Sequence, residues 1–179
     1  MYALFCMTEQ EYLSKFDELN VLRYELLFGG ADKAKGTFAD SLFDAYIAGF
    51  VSFDGDTSPS YEQAVAAIEK SYDGVSIYDT MEGYVANSQL SEIERLLASE
   101  YHRVFNRGAM DAAKSNGRTR KTWLTVGDDK VRETHDYIDG TTIGIDAEFV
   151  TYDGDRAKYP GDFALAQNNA NCRCWLAFS

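Results

Sequence analysis

SEIERLLASEYHRVFNRGAMDAAKSNGRTRKTWLTV, residues 91–126, contains the change of period that decides the fold. Up to Asn116 the side chains Ile93, Leu96, Leu97, Tyr101, Val104, Phe105, Ala109 and Ala112 recur at helical spacing. Ser91, with Glu94 three residues on, reads as the capped start of that helix. The helix should run for roughly 26 residues, or ~39 Å at 1.5 Å per residue. It should stop at Asn116-Gly117, where glycine takes the left-handed conformation that closes helices. One apolar stripe on so long a helix needs a second layer to lie against. From Thr119 to Val126 β-branched and aromatic residues replace the stripe, so the chain passes from helix to strand. This is the pattern of an α+β fold: N-terminal helices, the last one long, packed on a small, mostly antiparallel sheet.

Working outward toward the N-terminus, Thr8-Glu-Gln-Glu11 fits a capping box. Tyr12, Phe16, Leu19, Leu22, Leu26 and Leu27 follow at helical spacing, and Gly29-Gly30 ends the segment. A second helix is expected over 38–53, where Phe38, Leu42, Phe43, Tyr46, Ile47 and Phe50 share a face. Asp54–Ser60 has turn chemistry, and Ser60 with Gln63 caps a short helix that stops near Asp73-Gly74. Residues 76–89 read as helical despite Gly83. On the C-terminal side, Asp128–Ile138 reads as a short helix capped by Asp128 or Asp129, and Thr141–Ile145 and Cys172–Phe178 read as strands. Residues 146–170, rich in Asp, Gly, Asn and Pro, form an irregular loop before the C-terminal strand. A loop of this length in a compact domain is usually anchored or functional. The chain thus divides into a helical region over 1–90 and a second unit over 91–179, which can pack as one compact body.

The apolar fraction of 45% and charged fraction of 26% are those of a globular chain, and no apolar run reaches the length a membrane helix needs. The first residues, Met1–Met7, lack the basic start and long apolar stretch of a signal peptide. Three cysteines, one far from the other two, do not make a secreted disulfide framework. Synthesis in a reducing cytoplasm follows as the expectation. The net charge of −12 is unevenly placed: residues 1–100 hold 18 acids against 6 bases, and residues 101–179 hold 11 of each. The acidic front repels phosphate, which disfavours nucleic-acid binding through bulk charge. A local basic strip of Arg103, Arg107, Arg118, Arg120 and Lys121 remains a candidate DNA contact beside the simpler reading of a solvated helix end and turn.

Cys172-Arg-Cys174 on a strand places both sulfurs on one face and sends Arg173 and Trp175 to the other. With one residue between them the two make a poor disulfide, but they can share a soft metal if further donors arrive. His135 is the natural third ligand, and Asp128, Asp136, Asp139 or water are candidates for the fourth. Beside this stands the plainer reading, in which the cysteines are small core hydrophobes and His135 a hydrogen-bonded structural residue. Trp123 and Trp175, on strands expected to be neighbours, read as core packing. Tyr159-Pro-Gly-Asp162 is a turn signature. The chain has no Gly-rich phosphate loop, no His-Glu-x-x-His and no nucleophile elbow. A nuclease-like or toxin-like enzyme using His135 with Asp136 and Arg132 is the catalytic alternative.

Order and spacing over residues 95–179 add a resemblance. The helix around Arg103–Ala113, Lys121-Thr-Trp123, Asp128-x-x-Val-Arg-x-x-His135, Ile138-Asp-Gly140, Asp146 with Phe149, Tyr159-Pro-Gly-Asp162 and Asn171-Cys-Arg-Cys174 together resemble the phage Mu protein F-like minor head proteins, the head-morphogenesis domain. The resemblance implies a low-copy structural component of the virion, inside the capsid and associated with portal or capsid proteins. It also implies a part in head assembly and in genome packaging or ejection, with packaged DNA as a further partner, and no catalysis. The family's paired cysteines and histidine correspond to Cys172, Cys174 and His135, with zinc as the candidate cofactor. Where such proteins often carry an acid before the cysteines, this chain has Ala166-Gln-Asn-Asn-Ala-Asn171. A metal-stabilised interaction module unrelated to virions is the remaining alternative.

Overall fold

The computed structural model describes residues 31–53 and 58–179. The helix expected from Thr8 to its Gly29-Gly30 stop lies outside the described residues, as does most of the Asp54–Ser60 loop. The fold is α+β, with helices leading into small antiparallel sheets.

Helix α1 (Ala31–Phe53) starts earlier than its apolar face suggests and buries Phe38, Leu42, Ala45, Tyr46 and Phe50. Helix α2 (Tyr61–Ile68) opens with the capping box read from the sequence: the Gln63 amide donates to Ser60 Oγ and the Ser60 amide to Gln63 Oε1. The helix ends at Ile68, before Asp73-Gly74. Those two residues, at φ 51° and 80°, turn a tight hairpin between β1 (Ser71–Tyr72) and β2 (Val75–Ser76). Strands of two residues have no period to read, so the sequence does not announce this hairpin. Helix α3 (Ile77–Ala86) is capped by Ser76, whose Oγ accepts from the Tyr78 amide.

Helix α4 (Leu90–Ser115) has the 26 residues expected and ends at Asn116 before Gly117 at φ 71°. Its cap is Gln89, which makes no side-chain capping bond, so Ser91 lies inside the first turn and is not the cap. Ile93, Leu97, Tyr101, Val104 and Ala112 join α1, α2 and α3 in one core, while Met110 belongs to a second core. The helix is therefore a wall shared by both.

The contact of α1 with α4 is backbone to backbone. A methyl group at Gly49 would stand 2.0 Å from the Phe105 carbonyl oxygen, and one at Gly108 would stand 2.3 Å from the Tyr46 carbonyl oxygen. Two glycines facing each other's helix let the axes approach as no side chain would.

Strand β3 (Arg120–Leu124) is central in a three-stranded antiparallel sheet, between β4 (Thr142–Gly144) and β7 (Trp175–Phe178). The register sets Trp123 opposite Leu176 and Leu124 opposite Trp175. Trp123 and Leu176 are buried, Leu124 and Trp175 only partly so. The two tryptophans thus sit on neighbouring strands but on opposite faces and do not pair. The helix expected over 128–138 shrinks to α5 (Glu133–Asp136), capped at Arg132. Asp128 is drawn away by a forked pair of 2.7 Å hydrogen bonds from Arg173, and Val131 folds back on the Asp128 carbonyl as a turn. Residues 146–170 are more ordered than expected: a hairpin of β5 (Phe149–Val150) and β6 (Arg156–Ala157) is followed by α6 (Ala166–Asn169). Tyr159–Asp162 is the expected turn, with Gly161 at φ 89° and the Asp162 amide on the Tyr159 carbonyl. The last strand begins at Trp175, so the cysteines lie on its irregular approach and not within it. Phe53 and Phe178, edge to face at 5.4 Å, join the helical layer to the sheet.

The glycine contact yields a paired prediction. Gly108→Ala should destabilise the fold by about 3 kcal/mol or more, because backbone atoms have nowhere to retreat. Gly83→Ala, in a helix interior with nothing within 4 Å, should instead stabilise by about 0.5–1 kcal/mol. Urea unfolding of both variants tests this; similar stabilities for the two would contradict the close approach.

Candidate metal centre

His135 occupies the buried side of α5 and is 1% exposed. Its ring stacks on Phe163 at 5.2 Å and meets the edge of Trp123 at 5.6 Å. Nδ1 points at both sulfurs, 3.4 Å from Cys174 Sγ and 3.8 Å from Cys172 Sγ, and the three donor atoms lie within 4.8 Å of one another. Zinc bonds of about 2.3 Å to sulfur and 2.0–2.1 Å to nitrogen, at a tetrahedral angle, put nitrogen and sulfur about 3.5–3.6 Å apart. The observed separations straddle that value. Two soft sulfurs and one imidazole are also the donor types zinc prefers, so residues and geometry both fit.

Local chemistry builds this arrangement. Arg132 donates to the Ala170 carbonyl and Thr134 Oγ1 to Asn168 Oδ1, which fastens α5 to the segment before the cysteines. Asn169 grips Phe163 at both its amide (2.9 Å) and its carbonyl (2.7 Å), holding the ring on which His135 stacks. Asn171 adopts φ 54°, a left-handed turn that asparagine tolerates, and so directs Cys172 inward. Asp155 is the hub of the loop: its buried carboxylate accepts from the amides of Arg156, Ala164 and Leu165 and from Asn168 Nδ2. Asn168 and Asn169 therefore serve as clamps for the loop.

Hydrogen bonding between the two sulfurs splits their acidities. Cys172 is drawn well below an ordinary thiol by Cys174, and the His102 and His135 rings act in the same direction against the cost of burial. Cys174 is pushed up by its bond to Cys172 and by burial. Trp123 Nε1 and the other ring nitrogen of His135, Nε2, are buried without hydrogen-bond partners.

None of the three carboxylates considered as a fourth ligand joins the cluster. Asp128 is engaged by Arg173, Asp136 is exposed, and Asp139 accepts from the Thr125 amide at 2.7 Å. The sequence reading missed Asp155, hidden among the acids of the loop.

Residues 59–177 match the family described as phage Mu protein F like protein. Two curated proteins are similar to the chain. The NAD(+)–arginine ADP-ribosyltransferase EFV of Enterococcus faecalis is 33% identical over 106 residues, covering 59% of this chain and 22% of that protein. Minor head protein GP7 of Bacillus phage SPP1 is 32% identical over 83 residues, covering 45% of this chain and 27% of that protein. The chain thus spans about a quarter of the length of either relative. No solved structure matches it. The family match reaches back to residue 59, and so takes in α2, the first hairpin and α3 as well as the C-terminal half.

The five bases nominated for DNA do not form a strip. Arg103 is 2% exposed; its Nε donates to Glu100 at 2.6 Å and its Nη1 to the Ala67 carbonyl at 2.9 Å. Arg107 is half-buried, paired with Asp111 at 2.7 Å and lying over the Tyr159 ring. Lys121 is 0% exposed and donates to the Lys158 carbonyl at 2.7 Å. Burial removes Arg103 and Lys121 from any surface a duplex touches, which leaves Arg118 and Arg120 exposed.

Burial, helped by Lys114 and Lys158 nearby, pushes the Lys121 pKa from 10.5 down to about 8. Between those two values the unfolded chain holds a proton that the folded chain has released. Stability therefore rises with pH across that window, while below it the cost of the buried charge is fully present. Relative to Lys121→Met, the wild-type chain should gain about 1–3 kcal/mol between pH 7.5 and 10.5. Urea titrations across that range check the sign; parallel pH profiles for the two proteins would contradict it.

Proposed function

The chain belongs to the phage Mu protein F-like family, and from that membership we propose that it is a structural minor head protein of a phage particle. The observation that carries the reading is the family match over residues 59–177, joined by the likeness to the minor head protein GP7. In this reading the protein sits in the capsid interior at low copy, associated with the portal. It acts in head assembly and in genome packaging or ejection. A transferase and a minor head protein both share a stretch with this chain, which suits a structural module carried by proteins of different roles.

Zinc is the cofactor we assign, held by His135, Cys172 and Cys174. When bound it supplies a cross-link between α5 and the approach to β7, a structural use of the metal that adds directly to folding free energy. The catalytic alternative is disfavoured by the same burial: an imidazole 1% exposed and stacked on Phe163 is out of reach of a polynucleotide. DNA contact falls to Arg118 and Arg120 alone, so binding should be weak and salt-sensitive. Among the described residues no helix is long and apolar enough to cross a membrane. For the contact with the portal we assign Tyr137 and Tyr152, 64% and 58% exposed and set edge to face at 6.0 Å. Tyrosine is a favoured anchor at protein interfaces.

Affinity purification of a portal ring from procapsids is the test. The chain should co-purify, and Tyr137→Ser with Tyr152→Ser should lose the association without lowering the melting temperature. Absence of the chain from particles, or nucleic-acid cleavage that disappears in a folded His135→Ala variant, would contradict the structural reading.

A further inference from the structure

The three-stranded sheet has two faces, and the core uses one of them. Trp123, Ile143, Leu176 and Phe178 share the inner face and pack into the second core. Strand alternation sends Arg120, Thr122, Leu124, Thr142, Trp175 and Ala177 to the outer face. None of these six is buried, and Arg120 and Thr142 are exposed. In the middle of the face Thr122 Oγ1 and Thr142 Oγ1 stand 2.7 Å apart across the strands. At one end Trp175 lies opposite Leu124. At the other end Arg120 is joined by Arg118, exposed two residues before it. The chain carries 29 acids and a net charge of −12, yet none of these three strands contains an acid. Trp175, read from the sequence as core packing, is instead the aromatic side chain of this outer face.

We propose that this outer face binds single-stranded DNA, with the Trp175 indole stacking on a base and Arg120, with Arg118 beyond it, pairing with phosphate. The proposal rests on the reading that DNA is a partner of the protein, and it names the form of DNA and the surface that takes it. A polyanion is repelled by so acidic a chain, and a patch free of carboxylates and supplied with guanidinium groups is where it can approach. The indole adds an attraction that depends neither on net charge nor on base sequence. Stacking of this kind needs a base whose face is free, which a duplex does not offer along its length. Three strands spaced about 4.8 Å apart make a face about 10 Å wide, a track for one unpaired strand. The paired threonine hydroxyls in mid-face can donate and accept, which suits sugar and base edges without fixing a sequence. Antiparallel sheets with an outward aromatic recognise single-stranded nucleic acid by the same division of labour.

Intrinsic fluorescence of the full-length chain, titrated with a short oligothymidylate, tests this. Trp123 is 0% exposed, so Trp175 is the tryptophan that a base can reach. At low salt, binding should quench the emission, and the affinity should fall steeply as salt rises. By anisotropy of the labelled oligonucleotide, Trp175→Ala should bind at least about 5-fold more weakly. Arg120→Glu, a change at an exposed side chain, should weaken binding and flatten its salt dependence, and it keeps the test valid if Trp175→Ala does not fold. A duplex of the same length should compete poorly. No quenching, or an affinity unchanged in the folded variants, would overturn the proposal. Tighter binding of oligouridylate than of oligothymidylate would assign the face to RNA and overturn the choice of DNA. If a portal ring and not DNA shields Trp175 from acrylamide, the face is a protein interface and the proposal falls. Co-purification with the portal is read separately, so each of these failures leaves the structural reading to its own test.

Discussion

Helix α4 is approached backbone-close from two sides, and the rest of the structure follows from that constraint. On one side Gly49 and Gly108 let α1 and α4 touch through their main chains. On the other, Gly161, held at φ 89° in the Tyr159–Asp162 turn, brings the C-terminal unit against Arg103. A rigid rod gripped at both faces fixes the separation of the two cores. The buried pair of Arg103 and Glu100 lies at that second grip, with Tyr72 donating to Glu100 at 2.8 Å and the Ala67 carbonyl accepting from Arg103. Such a buried pair adds little net stability but is costly to leave half-made, so it enforces one docking geometry.

The C-terminal unit is held differently from the helical layer. Its apolar core is small, built around Trp123, Phe149, Phe163 and Tyr159. Its strands are two to five residues long. What organises it is a set of side chains bonding backbone: Asp155 to three amides, Asn169 to both ends of Phe163, and Asp139 to Thr125. Such networks specify one conformation when every partner is met. The His135, Cys172 and Cys174 cluster sits where these clamps converge, which is why a cross-link there bears on the whole unit.

Much of this was legible in the sequence. The long helix, its glycine stop and the switch to strand period show in residues 91–126, because one-sided burial writes its period into the chain. The three donors of the cluster were legible too, from cysteine spacing and from a family resemblance. What did not show was set by tertiary partners. Arg103, Arg107 and Lys121 look like a basic strip until Glu100, Asp111 and the Lys158 carbonyl fold against them. The expected helix over 128–138 loses its first turn to the pair between Asp128 and Arg173, residues 45 apart in sequence.

The central claim is that the buried donors hold zinc and that the metal maintains the C-terminal unit. Thermal unfolding of protein purified without chelator, with its zinc measured in parallel, tests it most directly. The account predicts close to one equivalent of zinc, a melting temperature that falls when the metal is stripped, and recovery when zinc is restored. Less than about a tenth of an equivalent, with unfolding indifferent to chelator and to added zinc, would contradict it.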